Sequence, residues 1–327
     1  MLLSKDIYEA KKRIEDYIIR TPLLRVQALD KIFGCEVYIK PENLQYTGSF
    51  KLRGATNRLL VLNENERKKG VVCASSGNHA QGVACAASRL DIDAVIVMPT
   101  DCNLVKLDGV KKFGATALLE GTLSSERENK ALELVEKESR VLIHPYDDDY
   151  VRAGQGTIGI EILEDEINMD VIVVPIGGGG LISGISTIAK EIKPSIKIVG
   201  VEPEGAARYG VSRKENKPMW LDSVNTIADG TRTDYANETS YKIIEKLVDE
   251  LVAVSDNSIK KAMLECVSTV KIVAEPSSVM GIAAAFDKKL DVKYEDKVCF
   301  VITGGNNDVS FLADVLMNGT KKDERED

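Results

Sequence analysis

Val171-Ile172-Val173-Val174-Pro175-Ile176-Gly177-Gly178-Gly179-Gly180-Leu181-Ile182-Ser183-Gly184-Ile185 decides how the rest of the chain is read. A short β-branched run ends at four glycines, after which Leu181, Ile182, Ile185 and Ile188 recur at helical spacing, so the stretch reads as strand, tight loop and helix start. It runs uncharged to Ala189, close to the length of a membrane span, but Pro175 and the glycines argue against one. Bare peptide N–H groups at a helix N-terminus suit an anion, a phosphate above all. The alternative is a turn that merely needs glycine. The loop departs from GxGxxG, because Ile182 takes the third glycine place, and no GxxxxGK[ST] occurs, which weakens dinucleotide and nucleoside-triphosphate readings.

Outward from this stretch the same alternation repeats. Short β-branched runs at residues 71–74, 94–98, 117–119, 141–143, 171–176, 196–201 and 298–302 are separated by helical patterns, the signature of an α/β chain on parallel sheets. In open sheets of that kind ligands collect where strands pass into helices. A chain of 327 residues, 44% hydrophobic, has material for about two domains. No linker marks a boundary, yet the units from about 70 to 145 read as a smaller domain set into a larger one.

Composition narrows the partners. With 43 basic against 51 acidic residues, a net charge of −8 and no basic block, a small molecule is favoured over nucleic acid. His79 and His144 are the only histidines, and Cys35, Cys73, Cys85, Cys102, Cys266 and Cys299 form no CxxC pair, so neither a zinc site nor a thioredoxin-like motif is supported. Their mostly apolar neighbours suggest reduced thiols in a cytoplasmic protein. Residues 1–17 form an amphipathic pattern, with Ile7, Ala10, Ile14 and Tyr17 on one face, unlike a secretory signal. The charged stretch 321–327 reads as a disordered tail.

Three further segments carry chemistry-bearing side chains. In Thr47-Gly48-Ser49-Phe50-Lys51-Leu52-Arg53-Gly54-Ala55 a lysine lies between apolar neighbours. Lysines are usually solvated, but burial would lower the amine toward the range used for Schiff-base or general-base work. Ser75-Ser76-Gly77-Asn78-His79 precedes a helical stripe; its serines and Asn78 could simply cap that helix, or its N–H groups and hydroxyls could bind a carboxylate. His79 reads as a structural hydrogen-bonder, since no partner for acid/base work is evident. Thr303, in Val301-Ile302-Thr303-Gly304-Gly305-Asn306, falls at a strand C-terminus.

Together with Arg20-Thr21-Pro22-Leu23 and Lys40-Pro41-Glu42-Asn43-Leu44-Gln45, these segments resemble the pyridoxal-phosphate enzymes of fold type II, in their threonine dehydratase and serine racemase branch. His144-Pro145-Tyr146-Asp147-Asp148, Ala153-Gly154-Gln155-Gly156-Thr157, Gly200-Val201-Glu202-Pro203, Thr226-Ile227-Ala228-Asp229-Gly230 and Glu275-Pro276-Ser277 are similar to dehydratase segments. The resemblance implies an α/β fold of the tryptophan synthase β type: two open, mostly parallel-sheet domains, the larger of residues 1–65 and 147–327 holding the cofactor, the smaller of 66–146 mobile. It implies pyridoxal 5′-phosphate as cofactor and an amino acid as substrate, with no nucleic acid or membrane partner. Lys51 would carry the cofactor and serve as catalytic base, with Phe50 beside the ring, Asn78 on its 3-hydroxyl, and Thr303 at the pyridine nitrogen. Gly177, Gly178, Gly179 and Gly180, with Leu181, would hold the phosphate. Ser76 would face the ring opposite the lysine, and Ser75, Ser76, Gly77, Asn78 and His79 would bind the substrate.

The implied reaction is β-elimination from a 3-hydroxy amino acid, L-threonine to 2-oxobutanoate and ammonia and also L-serine to pyruvate. Serine racemisation, with Ser76 reprotonating the opposite face, and dehydration of another 3-hydroxy amino acid are the alternatives. A non-catalytic binding protein would be expected to have lost the lysine, Asn78 or the glycines, and a dehydrogenase lacks its fingerprint. Arg127 matches a family arginine near the substrate, though a surface helix contact explains it equally well. Thr303 stands where the family usually has serine. After Glu202, a candidate cation ligand, the racemase pattern reaches an acidic residue, whereas this chain reads Glu204-Gly205-Ala206-Ala207-Arg208; no metal is therefore expected. The short stretch after Asn306 implies that no C-terminal regulatory domain acts, leaves a nucleotide effector open, and a homodimer or homotetramer is the family's assembly.

Overall fold

A computed structural model describes residues 2–102 and 104–319; the stretch 321–327 lies outside the described residues. Among the described residues ten strands are seen: β1 (Leu24–Arg25), β2 (Glu36–Pro41), β3 (Val71–Ala74), β4 (Ala94–Met98), β5 (Thr116–Leu119), β6 (Val141–Leu142), β7 (Val171–Pro175), β8 (Lys197–Pro203), β9 (Glu250–Val254) and β10 (Lys297–Ile302). They make a six-stranded sheet, β1-β2-β10-β7-β8-β9, and a four-stranded sheet, β5-β4-β3-β6, parallel throughout except where β1 pairs with β2.

Both faces of the larger sheet are covered, which is why its central strands are continuous apolar runs. On one face Val37, Val173, Val199 and Phe300 pack against Ile259, Met280 and Ile282. On the other Ile172, Val174, Ile198 and Val301 pack against Ile158, Ile182 and Ile185. The smaller sheet buries Cys73 and Ile96 against Val83, Ala84 and Leu52. Ile7, Ala10 and Ile14 of the helix Ser4–Ile14 are buried, as their spacing predicts, while Tyr17 falls in a following single turn. All six cysteines are free thiols, and all but Cys102 are buried. No helix among the described residues is long and apolar enough to cross a membrane, and the run from Val171 is a strand, loop and helix.

Strands β1, β2 and β9 have no counterpart in the apolar runs of the sequence. β2 reads Glu-Val-Tyr-Ile-Lys-Pro, and its charged Lys40 is buried by an ion pair with Glu161 at 2.6 Å. β1 has only two residues, and β9, at the sheet edge, keeps most of its side chains half-buried.

One helix, Asp149–Asp165, organises the ligand side of the molecule. It passes between the helices Lys51–Leu60 and Gly180–Ile192, close enough that glycine is needed at the crossings. A Cβ on Gly154 would lie 2.6 Å from the Arg53 carbonyl oxygen, and one on Gly184 would lie 2.4 Å from that of Arg152. Neither backbone can withdraw without moving a helix. Gly184→Ala is expected to destabilise the fold by about 1–3 kcal/mol through overpacking, read as a lower urea midpoint; an unchanged midpoint would contradict the close crossing.

Candidate active site

Two helix N-termini and two strand ends converge on one cleft. Its empty space, continuous with solvent, is about 370 Å³, and its lining includes Phe50, Lys51, Tyr146, Gly177, Gly178, Gly179, Gly180, Leu181 and Thr303. The structure therefore brings together the lysine, the glycine loop and the strand-end hydroxyl, which lie far apart in sequence.

Lys51 opens the helix Lys51–Leu60. It is placed by its predecessors: Ser49 bridges to Gly304, and the Phe50 N–H donates to the Thr303 carbonyl at 3.0 Å. The Lys51 Nζ donates to the Pro145 carbonyl at 2.9 Å and lies 5.2 Å from the centre of the Phe50 ring. Burial pushes the amine down to about 8, against a smaller upward pull from Glu275. About a tenth of it is then neutral at pH 7, far more than for a solvated lysine.

The glycine loop follows β7. Gly179 has φ of 86°, a left-handed conformation that favours glycine, and caps the helix Gly180–Ile192. A Cβ on Gly178 would fall 2.2 Å from the Tyr146 ring, so close approach also requires glycine there. Among the described residues no acceptor takes the N–H groups of Gly177, Gly178 or Gly179. They are free for an anion. Thr303, at the end of β10, sets its hydroxyl 2.9 Å from Ser278 Oγ, which itself donates to the Gly304 carbonyl at 2.6 Å.

Ser75, Ser76 and Gly77 form a half-buried turn after β3, outside the lining of this cleft. The helix Asn78–Arg89 has Gly77 as its N-cap and no side-chain cap, so the capping explanation of the serines and Asn78 does not hold. Asn78 instead reaches across to the other sheet: its Nδ2 donates to Glu275 Oε1 at 2.6 Å, and its Oδ1 accepts from Asn306 Nδ2 at 2.7 Å. Glu275, buried among these groups and near the charge of Asp229, has its carboxyl pushed up to about 8. The His79 ring is buried, with Nε2 2.9 Å from the Ile143 carbonyl. Burial first and the Lys51 charge second push it down to about 3, which keeps it neutral and structural. Arg127 lies on the helix Ser124–Glu138, where Nη1 donates to the Thr122 carbonyl at 3.1 Å.

Glu202 is occupied by backbone: its carboxylate accepts from the N–H groups of Tyr209 at 3.0 Å and Gly210 at 2.8 Å. Among the described residues no group of three His, Cys, Asp or Glu could hold a metal ion. Sequence reading gave no role to Glu275, Tyr146 or Ser278, and took Arg208 only as a departure from a pattern. Nothing in local composition marks these residues, because each gains its partners from a distant part of the chain: Tyr146 lines the cleft, while Glu275, Ser278 and Arg208 bond Asn78, Thr303 and the glycine loop.

A family model described as pyridoxal-phosphate dependent enzyme matches residues 14–304. The chain is 42% identical over 325 residues to the L-threonine ammonia-lyase of Thermotoga maritima, covering 99% of this chain and 80% of that one. It is 40% identical over 319 residues to the catabolic L-threonine dehydratase TdcB of Staphylococcus aureus, covering 96% and 92%. Among solved structures, maize serine racemase superposes with a TM-score of 0.92 at 37% identity, covering 97% of each chain.

Proposed function

Because this chain belongs to the pyridoxal-phosphate dependent enzymes, we propose that it is a lyase that eliminates the β-hydroxyl of L-threonine, and also that of L-serine, to release a 2-oxo acid and ammonia. The observation that carries this reading is the buried Lys51 amine in the same cleft as four glycines and the Thr303 hydroxyl. The L-threonine ammonia-lyase and dehydratase relatives support the choice of substrate.

The residues present fit the cofactor. An amine held near neutrality suits its aldehyde, unsatisfied N–H groups at a helix N-terminus suit its phosphate, and the Thr303 hydroxyl suits its ring nitrogen. Phe50 would pack beside the ring, and Asn78, with one amide hydrogen left after Glu275, would meet the 3-hydroxyl. When bound, pyridoxal phosphate supplies an electron sink for the bonds at the substrate's Cα.

The remaining work falls to side chains and backbone. The uncapped N–H groups after Gly77, with Ser75 and Ser76, would bind the substrate carboxylate and orient the Cα–H bond toward Lys51. Lys51 Nζ would take the Cα proton. Thr303 would offer the cofactor's ring nitrogen a neutral hydroxyl rather than a carboxylate, a partner that would favour loss of the β-hydroxyl over transamination. The unit of residues 66–146, built on the four-stranded sheet, would move to close over the substrate.

Serine racemisation is the second reading, favoured by the superposition on maize serine racemase; Ser76 would then return a proton to the opposite face. The two separate in one assay on the cofactor-loaded protein with L-threonine and L-serine, scoring 2-oxo acid and the chirality of recovered amino acid. Rapid 2-oxobutanoate release without D-isomer is expected. Dominant D-serine would replace the proposal with the racemase, and silence with both substrates would overturn it.

A further inference from the structure

The glycine loop is held from behind by a buried cation. Arg208 is fully buried, and its guanidinium points at a cage of oxygens. Nη2 donates to the Gly177 carbonyl and, at 3.4 Å, to that of Ile176. Nη1 donates to the carbonyls of Ala206 at 2.7 Å and Thr231 at 3.2 Å, and the Glu202 carboxylate lies 3.9 Å away. The next residue completes the set: the Tyr209 hydroxyl donates to the Gly178 carbonyl at 2.9 Å.

Three consecutive loop carbonyls, those of Ile176, Gly177 and Gly178, are thus drawn to one side by two adjacent residues. Across a planar trans peptide the C=O and the following N–H point in opposite directions. Holding these carbonyls back therefore turns the N–H groups of Gly177, Gly178 and Gly179 the other way, the same three that lack an acceptor. Glycines alone would not choose this arrangement, since they populate many backbone conformations. Carbonyl and carboxylate oxygens in such a cage are also the donor set that a free metal cation would take, and here a covalently attached guanidinium fills it.

We propose that Arg208 is a positioning residue whose guanidinium serves as a built-in cation, locking the glycine loop in its phosphate-binding form so that cofactor binding requires no added metal ion. The inference rests on the cofactor reading above, and its test is a binding measurement rather than turnover. Apoprotein is titrated with pyridoxal phosphate and with pyridoxal, which lacks the phosphate, in buffer free of potassium, magnesium and calcium. The wild type is expected to bind pyridoxal phosphate with an affinity unchanged by adding those ions. Arg208→Ala is expected to lose at least about tenfold in affinity for pyridoxal phosphate, from the loss of charged hydrogen bonds, with little change for pyridoxal. Millimolar guanidinium should restore part of the loss, and Arg208→Lys should fall between.

Equal losses for both ligands, or none, would overturn the proposal, as would a wild type whose affinity climbs with added potassium or magnesium. Should Arg208→Ala fail to fold, Tyr209→Phe removes only the hydroxyl on Gly178 and must still give a loss confined to the phosphate-bearing ligand. Wild-type protein that binds neither ligand would overturn the cofactor reading itself, whereas a phosphate-indifferent Arg208 variant would overturn this inference alone.

Discussion

Replacing Lys51 with Ala is expected to lower 2-oxobutanoate release from L-threonine by about a thousandfold or more, since the variant loses both the amine that holds the cofactor and the proposed base. The loss should be chemical rather than structural. Lys51 sits in the first turn of its helix, where alanine is well tolerated, and its Nζ holds only the Pro145 carbonyl. The variant is therefore expected to unfold at nearly the wild-type urea concentration. It should also bind pyridoxal phosphate through the glycine loop, but borohydride should no longer fix the cofactor to the chain. Because burial holds the wild-type amine at about 8, below its ordinary 10.5, cofactor attachment to apoprotein should speed up as pH rises through 8. Ammonia release from Lys51→Ala at the wild-type rate would remove the lysine from the mechanism.

The second large effect concerns stability. Arg53 is fully buried between two carboxylates: Nε donates to Glu42 at 2.7 Å, and Nη1 donates to Glu161 at 2.6 Å. Lys40 completes the group through Glu161, so two cations and two carboxylates share one apolar interior. Arg53→Ala leaves the buried Glu42 with no cation and Glu161 with Lys40 alone, and breaking such a set costs about 3–5 kcal/mol. The expected reading is a large fall in the urea midpoint, smaller when Glu42→Gln is added, because the second change removes the charge that the first left unpaired. Fully additive losses would show that the pair is not coupled.

The same group sets an acid limit. Burial by itself pushes the Glu161 carboxyl up, but Arg53 and Lys40 outweigh it and hold the group below its ordinary value. A depressed carboxyl contributes stability above the unfolded value, about 4.3, and loses it as pH falls through the folded one. Wild-type protein should keep this contribution at pH 5 and lose it progressively once the pH falls below the unfolded value. Without Arg53 the loss should begin at higher pH, as acid titrations followed by circular dichroism would show.

How far these features could be read from sequence depends on whether they are local. The glycine loop announces itself because strand, loop and helix are contiguous. Lys51 and Thr303 stand out because each follows a recognisable break in pattern. β2 was not legible, because its Lys40 is a charged residue whose burial depends on Glu161, more than a hundred positions later. Arg53 was read as part of the lysine motif, whereas its contacts make it the centre of an ion cluster. Glu275 and Ser278 gain meaning only when β10 and the helix Asn78–Arg89 are brought beside them. His79 could be judged structural from sequence, but its partner, the Ile143 carbonyl, could not be named.

The helix Asp149–Asp165 touches its two neighbours backbone to backbone, one carrying Lys51 and the other the glycine loop. The span between amine and anion cradle is therefore set by main chain, and drift in surface loops leaves it unaltered. Ser75, Ser76 and Gly77 lie on the other sheet, which joins this frame by the packing of Leu52 with Val83 and Ala84 and, at the cleft, through Asn78, Glu275 and Asn306. A laboratory seeking new substrates from this scaffold would therefore leave the glycines of the crossing helices untouched and look for altered carboxylate recognition in the turn after β3.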